Sequence, residues 1–300
     1  MPQDAGELRI TDNGGSPTRS SPMAHLFVEQ LTVLDCSYLC AERGLVGESW
    51  IVDLELIGEL DHQGMVLDFG AVKRQVRDAV ESIADHRLLV PAHSPQLEIR
   101  RQDDCLDLRF DSAAGRISHR SPTQAVTLLS CERIEAGPLR QALIDAAALA
   151  VPDNVQGIEI QLRHEVIDGA WYRYSHGLKQ HQGLCQRIAH GHRSRIEIHL
   201  DGERQPQLEQ QWAERWQDID LAHREDCCVQ DEAFSEFRYT AAEGAFYLRL
   251  PTARCELLVT DTTVEQIAEH LAHEIAAAHP GQSVEVRAYE GVRKGAIARA

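Results

Sequence analysis

The segment SHGLKQHQGLCQRIAHGHRSRIEIHL carries the side chains of this 300-residue chain best suited to chemistry: His176, Cys185, His190 and His192. His190 and His192 stand two residues apart, so on an extended strand they leave the same face and can reach one ion together. His176, on the strand before, can supply a third nitrogen. Three neutral imidazoles around Zn²⁺ with the fourth position open is the geometry of a catalytic rather than a structural site. Plainer explanations exist for each residue alone. With 15 histidines in the chain, some pair falls two apart by chance, and a lone Cys185 is more often a small buried apolar residue. The pair gains meaning from its context.

The elements that must position these residues are written twice. The first copy begins with an apolar strand around 25 to 34, passes an irregular stretch and reaches Gly47 and the strand SWIVDLELIGE. The second begins with WYRYSHGL and reaches Gly191 and RSRIEIHLDGE. Aligned on the two glycines, Val52, Leu54 and Leu56 match Ile196, Ile198 and Leu200, the every-second-residue pattern of half-buried strands. A helix follows in each copy, with Val72, Val76, Val80 and Ile83 near one face of the first and LEQQWAERW carrying the second. Each of these helical segments is read as ending in a histidine and an arginine, His86-Arg87 and His223-Arg224. Next come inserted hairpins, LEIRRQDDCLDLRF with GRISHRS, and FSEFRYT with AFYLRLP and CELLVT. A second helix is predicted near 138 to 150 and 264 to 278, the latter capped by Thr262 or Thr263, and a last strand closes each copy, GIEIQLRHE and SVEVRAYE. The expected fold is α+β in two tandem units, 23 to 168 and 169 to 300. Residues 1 to 22, rich in Gly, Ser, Pro, Asp and Asn, read as a disordered tail, and Met23 is an alternative start.

Composition narrows the function classes. Forty-seven acidic against 30 basic residues give a formal charge of -17, which opposes a phosphate backbone, so no nucleic-acid partner is expected. No apolar run approaches the roughly 20 residues of a membrane span and the start lacks a secretory pattern, so a cytoplasmic protein without a membrane partner is expected. The eight cysteines contain no CxxC pair and do not suggest a disulfide framework.

The whole order of residues resembles the 6-pyruvoyltetrahydropterin and 6-carboxytetrahydropterin synthases, whose tunnelling fold (T-fold) assembles into barrels. Their His, Cys, His-Gly-His and strand read here as His176, Cys185, His190-Gly191-His192 and RIEIHL. Their acid-turn-Gly-Met segment and Asp-His pair read as DHQGMVLDF and Asp85-His86 in the first copy; their Thr-x-Glu helix start and closing Glu read as Thr263-Val264-Glu265 and Glu290 in the second. The resemblance implies two T-fold units, each an antiparallel sheet with two helices on one face. It also implies a Zn²⁺ cofactor on His176, His190 and His192, catalytic Cys185, Asp85 and His86, and pterin binding by Glu290, Thr263 and Glu265. Neither copy is complete. The first has Ser37, Val46 and Glu48 at the ligand positions and should bind no zinc; the second lacks the Gly-Met segment and has Ala222 in place of Asp. The losses are complementary, so one whole site would combine the zinc and Cys185 of the second unit with Asp85 and His86 of the first. Arg193, Arg195, Arg293 and Lys294 are candidate attractors of a triphosphate, or ordinary surface charge. The implied activity is a lyase converting 7,8-dihydroneopterin triphosphate, most directly to 6-carboxytetrahydropterin for queuosine-type 7-deazapurine synthesis. The alternatives are the sibling 6-pyruvoyl activity or a zinc- and pterin-binding paralogue without turnover. A homo-oligomer is implied as well, with the dyad acting within or between chains.

Overall fold

The structure, a computed structural model, describes residues 23–60, 65–66 and 69–300. The expected tail 1 to 22, and Asp61 to Gly64, Leu67 and Asp68 of the DHQGMVLDF segment, lie outside the described residues.

The first unit runs β1 (Met23–Cys40), β2 (Gly44–Glu59), α1 (Phe69–Ala84), β3 (Leu88–Pro91), β4 (Leu97–Gln102), β5 (Cys105–Ser112), β6 (Gly115–Pro122), β7 (Val126–Leu129), α2 (Ala136–Ala148) and β8 (Val155–Arg163). The second runs β9 (Trp171–His176), β10 (His190–Leu200), β11 (Glu203–Arg204), α3 (Pro206–Arg215), β12 (Ile219–His223), β13 (Cys227–Gln230), β14 (Phe234–Ala241), β15 (Gly244–Pro251), β16 (Cys255–Leu258), α4 (Val264–Ala278), β17 (Val284–Tyr289) and β18 (Gly295–Arg299). The duplication is visible in sheet order: β7-β3-β1-β2-β8 in one unit and β16-β12-β9-β10-β17 in the other, with β18 added at the second's edge. The central strands are antiparallel, and two short strands join parallel on one side of each sheet, β3 and β7 beside β1, β12 and β16 beside β9. CELLVT therefore belongs to the main sheet rather than to the inserted hairpin.

Side-chain pattern explains the elements. Val72, Val76 and Val80 form one stripe of α1 and are buried with Val52, Leu54 and Leu56 of β2; each such side chain contributes roughly 1.5–3 kcal/mol on burial. In the second unit Ile267, Ala268, Leu271 and Ile275 of α4 pack on Ile196, Ile198 and Leu200. Thr263 caps α4, its hydroxyl accepting from the Gln266 amide at 3.4 Å. Two expectations are corrected. β1 turns directly into β2 through residues 41–43, so no irregular stretch precedes Gly47. His223 closes strand β12 and not a helix, because α3 already ends at Arg215 and the chain re-enters the sheet at Ile219.

The two units meet in two places. The inserted hairpins form one six-stranded sheet, β13-β14-β15-β6-β5-β4, joined where Leu248 of β15 pairs with His119 of β6. The strands carrying Gly47 and Gly191 also cross at close range: a Cβ on Gly191 would lie 2.7 Å from the Gly47 Cα, and one on Gly47 would lie 1.9 Å from the Tyr174 carbonyl oxygen. Only glycine permits that approach. Among the described residues no helix is long and apolar enough to cross a membrane.

Candidate functional site

His176 and His190 face each other across the antiparallel β9–β10 pair, and His192 follows on the same face of β10. All three rings are buried, and one nitrogen of each lies within 4.8 Å of the others. The supports of the rings select the tautomers. His176 donates from Nδ1 to the Thr262 carbonyl at 2.9 Å and His190 from Nδ1 to the Arg187 carbonyl at 2.9 Å. This leaves both Nε2 atoms as lone-pair donors. The Nε2 atoms of His176 and His192 stand 3.1 Å apart, and the buried His190 Nε2 has no hydrogen-bond partner. An orphaned nitrogen in a buried site, with two further imidazoles in reach, is what a shared cation relieves, and an all-imidazole set suits zinc. Burial, reinforced by the neighbouring imidazoles, holds the protonation of His176 and His190 well below the ordinary histidine range. They are thus neutral, as ligands must be.

The first unit supplies the other half. Helix α1 ends at Ala84, and His86 then takes a left-handed backbone conformation (φ 52°) that swings its ring toward the second unit. Its Nδ1 donates to Asp85 Oδ2 at 2.8 Å, and its ring centre lies 4.9 Å from that of His190. His86, Cys185 and His190 bring their donor atoms within 4.8 Å of one another. Burial lowers the proton affinity of His86, but the bond to Asp85 and the Cys185 sulfur outweigh it and raise the pKa to about 10. The imidazole therefore carries its proton at neutral pH, in reach of a sulfur.

Cys185 sits in a short 3-10 turn, Leu184–Gln186, within the connection between β9 and β10. The inserted hairpin braces this connection: Tyr239 donates its hydroxyl to the Gln186 carbonyl at 2.8 Å, and the Glu243 amide donates to Gln186 Oε1 at 2.7 Å. Arg187 grips Glu243 with two bonds of 2.8 and 2.9 Å.

Glu290 follows β17 with Oε1 at 4.0 Å from His192 Nε2 and Oε2 at 3.8 Å from Lys294 Nζ, which places it at the rim of the triad. Thr263 and Glu265 are not brought in. The Thr263 hydroxyl is used by its own helix and Glu265 is exposed, while the adjacent Thr262 touches His176. Arg193 lies over the Trp171 ring and Arg195 over that of Tyr289; Arg293 pairs with Glu165. His223 lies at the end of β12 and points to the Val259 carbonyl. The position that matches His86 in the second unit is instead Asp218, which shares its left-handed backbone (φ 61°) and whose amide donates to the Arg173 carbonyl as that of His86 does to Asp35. Sequence reasoning missed Thr262, the Arg187 carbonyl and Asp35, whose carboxylate lies 3.2 Å from His192 Nδ1. Only Asp35 left a signal, an acid within the apolar run LTVLDCSYL.

The 6-pyruvoyl tetrahydropterin synthase family profile matches residues 36–124 and 166–300. Among solved structures, a catalytic-residue variant of Plasmodium vivax 6-pyruvoyltetrahydropterin synthase aligns at 21% identity and TM-score 0.40, covering 48% of this chain and 92% of that one. The Plasmodium falciparum 6-pyruvoyl tetrahydropterin synthase aligns at 20% identity and TM-score 0.38, covering 47% and 90%. No curated protein matches the chain.

Proposed function

We propose, from the premise that this chain belongs to the 6-pyruvoyl tetrahydropterin synthase family, that it is a zinc-dependent lyase acting on 7,8-dihydroneopterin triphosphate. Our reading of the product is 6-carboxytetrahydropterin, for queuosine-type 7-deazapurine synthesis. The observation that carries this reading is the meeting of two incomplete units: the three buried histidines of one lie against the Asp85-His86 pair of the other, with Cys185 between them. A protein that only binds a pterin needs no such acid-base set.

His176, His190 and His192 would hold the ion, which when bound supplies Lewis-acid polarisation of a substrate oxygen. Cys185, with His86 beside it, takes a proton from the substrate side chain. His86, oriented by Asp85, passes the next proton. Glu290 accepts two donors from the amino-pyrimidinone edge of the pterin. Among the described residues both edges of each main sheet end in strands without an outer partner, β7 and β8 in one and β16 and β18 in the other, which supports a homo-oligomer built by strand pairing.

The test is incubation of the zinc-loaded protein with 7,8-dihydroneopterin triphosphate, measuring released triphosphate and identifying the pterin by mass spectrometry. Triphosphate with a 6-carboxy product is expected. A 6-pyruvoyl product would move the chain to the sibling activity, and binding without release would leave it a non-catalytic relative.

A further inference from the structure

Two of the three candidate ligands are oriented from within their own unit, by the Thr262 and Arg187 carbonyls. The third is not. His192 Nδ1 has no backbone acceptor; the group it faces is the carboxylate of Asp35, on β1 of the opposite unit, at an ion-pair distance of 3.2 Å. Resting on the zinc reading above, we infer that Asp35 is a positioning residue through which the unit without ligands sets the ring of His192 and thereby the metal affinity of the other unit.

The carboxylate is held as such a residue must be. It is buried, and Oδ1 accepts from the Ser49 hydroxyl while Oδ2 meets Lys294 Nζ at 3.2 Å. Ser49 in turn accepts from the Arg193 amide, one residue beyond His192, at 3.1 Å. Space for the carboxylate depends on Gly291, where a Cβ would fall 2.5 Å from Asp35 Oδ1. His192 Nδ1 has no other partner, and a carboxylate facing it favours the proton on that nitrogen, which leaves the Nε2 lone pair for the ion.

The backbone of the same residue holds the dyad. The Asp35 amide donates to Asp85 Oδ1 at 3.0 Å, and the Asp35 carbonyl accepts from the His86 amide at 2.7 Å. One residue thus keeps the metal half and the proton-transfer half in register: its side chain faces His192 and its main chain holds Asp85 and His86.

Asp35→Asn separates the two roles, because it keeps both main-chain bonds and the side-chain shape but removes the charge that favours an Nδ1–H on His192. Zinc affinity is measured by competition with a chromophoric chelator, and the melting temperature of the metal-free protein is followed in parallel. Wild type is expected to bind one zinc tightly. The variant is expected to bind it about 10- to 100-fold more weakly, with an unchanged metal-free melting temperature and turnover restored by excess zinc. Wild-type zinc affinity in a folded Asp35→Asn protein would overturn the inference. Should that variant fail to fold, Ser49→Ala and Lys294→Met remove the supports of the carboxylate. A several-fold weaker affinity in both supports the inference, and an unchanged affinity in both overturns it. Wild-type protein that takes up no zinc would instead overturn the metal reading on which the inference stands.

Discussion

The ligand positions of the second unit and their counterparts in the first occupy the same strands of the same sheet order, yet they hold opposite chemistry. His176, His190 and His192 converge, with one nitrogen of each within 4.8 Å of the others. Their counterparts are consumed. The β1–β2 register sets Tyr38 opposite Val46 as the β9–β10 register sets His176 opposite His190, so Tyr38 and not Ser37 stands at the first ligand position. Ser37 matches Ser175, with which it shares a 2.7 Å hydrogen bond, Val46 is core, and the buried carboxylate of Glu48 is taken by Arg173 at 2.9 and 3.0 Å and by His164 at 3.2 Å. A carboxylate already matched by a guanidinium has little left to offer a cation. The connections differ as well. The first unit turns through residues 41–43, whereas the second spans 177–189 and there carries Cys185. Under the function proposed above, a duplicated unit keeps its fold, gives up its metal chemistry and still serves its twin, since what it contributes, Asp35, Asp85 and His86, lies at the contact between the units.

The strongest challenge to this contrast is metal content. Wild-type protein should carry close to one zinc per chain, and His190→Ala with His192→Ala should carry none and have no turnover. Two equivalents in wild type, or retained zinc in the double variant, would erase the difference between the units. Cys185→Ala comes next. It should abolish turnover while zinc and substrate binding persist, since the thiol is assigned to proton transfer; loss of metal would make Cys185 a fourth ligand and the site structural.

His86→Ala tests whether the first unit is more than a scaffold, and it should slow turnover by about 10² or more with zinc unchanged. Because His86 and Cys185 meet within one chain, mixing the His86→Ala and Cys185→Ala proteins under subunit exchange should recover no activity. Recovery would place working sites between chains. The smallest functional effect belongs to the vacated site: Glu48→Ala strands Arg173 and should destabilise the fold by roughly 3–5 kcal/mol, read by denaturant unfolding. Zinc content and turnover of the folded fraction should stay as in wild type. A change in metal content there would mean that the first unit still takes part in binding.

Much of this was legible in the sequence because it is local. A period of two places His190 and His192 on one face, and a period near four places Val72, Val76 and Val80 on one stripe. That Val46 and Glu48 stand where the second copy has histidines is a matter of residue type alone, whereas the third position, Tyr38 and not Ser37, needed the strand register. The repeat, the hairpins and the Asp85-His86 pair could be read in the same way. What the sequence could not show is anything requiring the two units to be docked. The union of the hairpins into one sheet, the crossing at Gly47 and Gly191, the bracing of the Cys185 turn by Glu243, and the meeting of His86 with Cys185 in one chain all join segments far apart in sequence. Thr263 illustrates a related limit: capping chemistry and ligand-binding chemistry use the same residue types, and only the fold shows that the Thr263 hydroxyl is bound to its own helix. Asp35 shows the limit most clearly. Its burial in an apolar strand was visible as an anomaly, but its meaning depends on the Nδ1 of His192, which only the packing of one unit against the other brings to its carboxylate.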